Sequence, residues 1–144
     1  MNWIKIVMVI FIFLEAGNIF VLYFSPNSKL ANGMGHFTAW GKLKEDPELR
    51  DLVKYLVNWV AGTKLILLGL LIGLLFTGDE PLLLIAAGVM TLTISAFFWR
   101  MFPLIRKMDR EGGIEPVGYS QILGWMILGF NLLFLAGILG TLLT

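Results

Sequence analysis

Apolar residues fall into four long stretches, 3–24, 55–76, 81–102 and 117–143, with polar segments between them. Each approaches the roughly 20 residues that a helix needs to cross a bilayer. Helices are the expected form, because lipid offers no partner to open backbone groups. The punctuation between the stretches agrees. Ser25-Pro26-Asn27-Ser28 stops the first helix. Asp46 as N-cap and Pro47 at the first helical position start the second. That helix then spans 47–76, and its first two turns stand outside the membrane. Thr77-Gly78-Asp79-Glu80 is a tight turn in which Asp79 caps the third helix before Pro81. The pattern allows the third helix to run on to 111 through a kink at Pro103, with Gly112-Gly113 as its stop. Glu115-Pro116 starts the fourth. In the one long connection, 26–45, Leu30, Met34, Phe37 and Trp40 recur at near-helical spacing and predict a short interfacial segment. The expected fold is a single domain over 1–144: an all-α integral membrane protein, built as an antiparallel four-transmembrane-helix bundle.

Composition strengthens this reading. The 144 residues are 58% hydrophobic and 15% charged, with a mean hydropathy of +0.82. Soluble domains have about 45–50% apolar and about 25% charged residues. The N-terminus resembles a signal peptide in that Lys5 precedes an apolar run. Glu15 interrupts that run, apolar residues resume to Phe24 and no small-x-small cleavage site follows, so a retained helix is expected.

Charge sets an orientation. Lys29, Lys42, Lys44, Arg50 and Lys54 flank the first loop, and Arg100, Arg106, Lys107 and Arg110 flank the third. The opposite side has Lys5 alone. Nine against one places loops 1 and 3 in the cytoplasm and both termini outside. Helices 2 and 3 then extend into the cytoplasm. The expected location is a multi-pass position in a membrane, the plasma (inner) membrane if the source is prokaryotic. A net charge of +1 argues against a nucleic-acid partner. The chain has no cysteine, which excludes thiolate metal sites and thiol catalysis. His36 alone builds no metal site, and no cofactor is expected.

The candidate chemistry lies inside the apolar stretches. Glu15 stands past the middle of helix 1, with Asn18 one turn on along the same face. Lys64 stands inside helix 2. Tyr23 is eight residues from Glu15 and Trp59 five from Lys64, roughly 12 Å and 7–8 Å along their helices. Lys64 therefore matches Asn18 in depth, within reach of Glu15. Each charge disfavours insertion by about 2.5–3.5 kcal/mol at a helix centre, so pairing or function is expected. The alternatives are a Lys64 that snorkels to the interface and a pair that only fixes helix register. Thr91 and Ser95 on helix 3 and Asn131 on helix 4 complete the candidate ligand or ion site, with Gln121 placed on the same face as Asn131. The Thr and Ser hydroxyls more often bond their own helix, and Asn131 suits an interhelical bond.

Asn58, Gly62, Gly69 and Gly73 form a second stripe on helix 2, with Gly69 and Gly73 as a GxxxG motif. Gly118, Gly129, Ala136 and Gly140 form a similar stripe on helix 4. Packing within one bundle is the favoured use, and a homodimer the sharper one. His36 is read as ordinary interfacial surface. Asp46, Glu48, Arg50 and Asp51 form a solvated face, pair with Arg106, Lys107 and Arg110, or dock a partner. No metalloprotease, serine-hydrolase, P-loop or dinucleotide motif is present. Three functions follow in order of preference: a small transporter, channel or carrier using the polar cluster; a non-catalytic accessory or assembly subunit; and a lipid-modifying membrane enzyme with Glu15 or His36 as acid–base. The expected partners are the lipid bilayer and a homodimer or larger membrane complex.

Overall fold

The computed structural model describes residues 2–144. Six helices form in the order α1 (Trp3–Phe24), α2 (Thr38–Lys42), α3 (Pro47–Thr77), α4 (Glu80–Ser95), α5 (Phe97–Arg110) and α6 (Tyr119–Leu142), with a 3-10 turn at Met34–His36. Counting α4 and α5 as one broken span, four helices are long and apolar enough to cross a membrane. Among the described residues the only β pairing is a single bridge between Phe37 and Ile114.

The caps follow from short polar side chains at the helix starts. Asn2 accepts the Lys5 N–H, Asp46 the Leu49 N–H and Asp79 the Leu82 N–H, satisfying donors that a first turn leaves open. Thr141 of α6 accepts the Ile4 N–H at 3.0 Å and so ties the start of α1 to the end of α6.

α1 is the central helix. It packs along α3 on one side and α6 on the other, and touches α4 more lightly; α6 also carries α4 and α5. α3 has no comparable contact with α4, α5 or α6; α1 is its main helical neighbour, and Met34 and Trp40 of the first loop pack on its start. The main core lies towards the end away from the charged loops. Ile4, Met8, Leu83, Ala87 and Phe134 are almost fully enclosed there, and the Phe11 ring sits 5.2 Å from that of Phe134. Gly137 permits this approach, since a Cβ there would stand 2.8 Å from a Val7 methyl.

Three expectations are corrected. The third span breaks at Ala96, not at Pro103, which lies inside α5. Thr91, Thr93 and Ser95 bond back to carbonyls of their own helix, a habit that bends helices. The Ala96 and Trp99 N–H groups then reach back only three residues, to Thr93 and Ala96. Pro103 removes the donor that the Trp99 carbonyl would use, yet α5 runs on through it. The fourth span starts at Tyr119, later than Glu115-Pro116, because Gly118 turns into the left-handed region at φ 89° just before it. Finally, the small-residue stripes do not pack the bundle as expected. A Cβ on Gly69, Gly73, Gly118 or Gly129 meets nothing within 4 Å. Of those residues, Gly140 packs, against Trp3, and Gly62 faces the Tyr23 hydroxyl.

Candidate functional site

The seam between α1 and α3 has a regular spacing. Ile4, Met8, Phe11, Glu15, Asn18 and Leu22 are buried on α1, and Val57, Ala61, Leu68 and Leu71 on α3. On α1 the positions from Phe11 to Leu22 step by four, three and four, with Val7 and Ile19 buried beside this row; on α3 the steps are four, seven and three, which leaves one place of a three-and-four spacing to fill. Lys64 occupies the α3 position between Ala61 and Leu68. Its ammonium donates to Glu15 Oε1, and Asn18 Nδ2 donates to Glu15 Oε2 at 2.9 Å. One carboxylate thus accepts from two neighbours, one across the seam and one along its own helix. Glu15 is 7% exposed, while the Lys64 side chain is 26% exposed. Lys64 therefore does not snorkel away.

This polar layer separates two apolar clusters. On one side lie Phe11 and Leu71 of the main core; on the other, Leu22, Val57 and Ala61 pack with Met34 and Trp40 from the first loop. Two charges that lipid disfavours are thus held in a seam that leucine would fill.

Among the described residues, the other predicted site residues make no hydrogen bond to the trio. The hydroxyls of Thr91 and Ser95 are engaged by Ala87 and Thr91 carbonyls at 2.9 and 2.8 Å, and Ser95 is exposed. Asn131 is buried, and its Oδ1 has no hydrogen-bond partner among the described residues. Gln121 is exposed, so it does not share Asn131's face. Asn58 is exposed as well.

His36 departs most from expectation. It is 6% exposed, not surface. Its ring stacks on Tyr119 at 3.8 Å, and its Nδ1 lies 2.8 Å from the Glu115 carbonyl oxygen. An acceptor there requires Nδ1 to carry the proton. Around this ring the first loop clasps the α5–α6 turn. Glu115 N–H donates to the His36 carbonyl at 2.8 Å, Thr38 N–H to that of Gly113 at 3.1 Å, and Lys29 pairs with the Glu115 carboxylate at 3.2 Å. The charged start of α3 makes no ion pair with α5: Arg50 lies against Asp51 and Lys107 against Glu111.

Asp109 was not singled out by the sequence, and it caps α6 from the neighbouring helix. Its carboxylate accepts the Gly118 and Ser120 N–H groups, each at 2.9 Å, and the Ser120 hydroxyl. Asp109 lies beyond the apolar stretch of its span. The Ser120 hydroxyl foremost, then the two N–H groups, hold its carboxyl below the ordinary 3.8, against the opposing effect of burial. The signal available in the sequence was an acid within one short turn of a helix start that lacks its own polar cap.

No protein-family model matches the chain, and no curated protein or solved structure matches it. The cluster itself carries the functional argument.

Proposed function

We propose that the chain is a multi-pass membrane protein that carries a proton or a small polar solute, with the Glu15–Asn18–Lys64 layer as its working site. The observation behind this reading is the buried Glu15–Lys64 pair in an otherwise apolar seam. Apolar residues of similar volume would hold such a seam as well or better, and ionisable groups inside a membrane are usually functional. A proton on Glu15, or an anion at Lys64, replaces the partner that each now has. Movement of α3 then opens the layer, since α1 is its main helical neighbour. The orphan Oδ1 of Asn131 adds a polar atom that a passing solute or water would satisfy.

The nine-to-one charge bias sets loops 1 and 3 in the cytoplasm and both ends outside. The polar layer then lies in the inner half and is entered from the cytoplasm. In liposomes loaded with a pH-sensitive dye, Glu15→Gln should reduce pH-driven flux to that of protein-free vesicles while helix content is kept. Flux equal to that of the unaltered protein would remove Glu15 from the mechanism.

A second reading, an assembly subunit, is favoured by the open face of α3. Gly69 and Gly73 lie bare there, a surface on which another transmembrane helix packs closely. Gly69→Leu should reduce a complex seen in mild detergent to single chains by light scattering. A chain already monomeric, or a complex indifferent to the leucine, counts against this surface. For the enzyme reading, stacking on Tyr119 and the bond to the Glu115 carbonyl engage His36 structurally, which leaves Glu15 as its acid–base candidate.

A further inference from the structure

A groove of about 480 Å³ runs between α5 and α6, away from the polar layer. Phe98, Phe102 and Arg106 line one wall at steps of four, and Gln121, Trp125 and Leu128 line the other. Its floor exists because residue 124 is glycine. A Cβ there would stand 2.8 Å from the Phe102 ring, so the ring settles against the α6 backbone and leaves a trough open to the side. The trough is graded along its length. Arg106 and Gln121 stand at the end bearing the charged loops. Phe98 and Leu128 stand at the other, with Phe98 eight residues from Arg106, roughly 12 Å along the helix.

The Arg106 guanidinium lies 5.9 Å over the Phe102 ring, which orients it. Among the described residues no carboxylate lies within ion-pair distance of it. Lys107 has Glu111 at 3.8 Å. Asp109, the nearest acid on the same helix, is turned inward onto Gly118 and Ser120. Lys107 and Arg110 follow in the last turn of α5 and add positive charge to that end of the helix. A planar set of donors with no carboxylate in contact, Asp109 acting on it only through space, at the mouth of an aromatic trough, matches a phosphodiester that carries a hydrocarbon chain.

We infer that this groove binds one anionic phospholipid, its phosphate on Arg106 and Gln121 and an acyl chain along Phe98, Phe102, Trp125 and Leu128. The inference rests on the membrane reading but not on the carrier mechanism. A free phosphate ion would leave the apolar walls without an occupant, whereas a lipid covers them.

The test is native mass spectrometry of the full chain in neutral detergent, titrated with phosphatidylglycerol and with phosphatidylcholine. Phosphatidylglycerol should remain as a one-lipid adduct where phosphatidylcholine is lost. Arg106→Gln should weaken that adduct roughly tenfold to hundredfold, as expected for loss of charge-assisted hydrogen bonds. Arg106→Lys should weaken it less, since it keeps the charge without the fork, and it decides the matter if the glutamine variant does not fold. Equal retention of both lipids, an Arg106→Lys adduct as tight as the original, or an equal loss in Arg110→Gln would overturn the site. Displacement of the lipid by millimolar inorganic phosphate would show a small-anion site instead and overturn the lipid assignment. A chain that stays in water when detergent is removed would fail the membrane reading itself, a result distinguishable from all of these.

Discussion

Replacing Lys64 alone by leucine should lower stability by about 3–5 kcal/mol, the usual cost of leaving one member of a buried pair without its partner. Glu15 would keep only the Asn18 amide. Replacing Glu15, Asn18 and Lys64 together by leucine should return stability to near that of the original chain or above it, because the seam becomes apolar throughout. Unfolding of the purified protein in mixed micelles with a denaturing detergent measures both. A Lys64→Leu cost below about 1 kcal/mol would mean that the pair contributes little. The contrast also separates structure from function. A triple variant that folds well and transports nothing assigns the layer to activity; one that folds well and still transports assigns it to packing alone.

Phe134→Ala should be comparably damaging, at about 3–5 kcal/mol in the same assay. Phe134 is fully enclosed, and its ring meets Phe11 where α1, α4 and α6 converge. Truncation leaves a cavity that three helices must close together. Phe13, mostly exposed, provides the control, and its replacement by alanine should change stability little. A small loss at Phe134 would show that the convergence point is loosely packed.

Much of the helical layout was legible because apolar length is an unambiguous signal. The first helix matches residues 3–24, and the second starts at Pro47 and extends one residue beyond 76. Aspartate caps and prolines mark those ends chemically. The approach of Glu15 to Lys64 was legible from depth alone. Which faces meet was harder to see. Val60 and Leu67, each within a turn of Lys64, are exposed; the buried face holds Val57, Ala61, Leu68 and Leu71. In a lipid-facing helix nearly every position is apolar, so hydrophobic contrast between faces is weak. The three-and-four spacing that includes Lys64 was the better guide.

Small residues misled for a related reason. Gly69 and Gly73 carry a recognisable motif yet lie open, while Gly124 and Gly137, outside any drawn stripe, receive Phe102 and Val7. A glycine's value lies in the side chain that approaches it, and one chain's sequence does not state that partner. His36 and Asp109 belong with these. Besides the Tyr119 ring and the Ser120 hydroxyl, their partners are backbone groups around the α5–α6 turn, which nearly any residue type supplies.

The α1–α3 seam bears on how such a chain enters a membrane. Glu15 and Lys64 lie 49 residues apart on consecutive spans, so both are available once the first helical hairpin has been synthesised. Each charge alone opposes insertion by about 2.5–3.5 kcal/mol. On the membrane reading, the two joined within the hairpin would reach lipid as a neutral unit before α4, α5 and α6 are made. The ionic layer would then favour a hairpin in correct register as the first part to leave water.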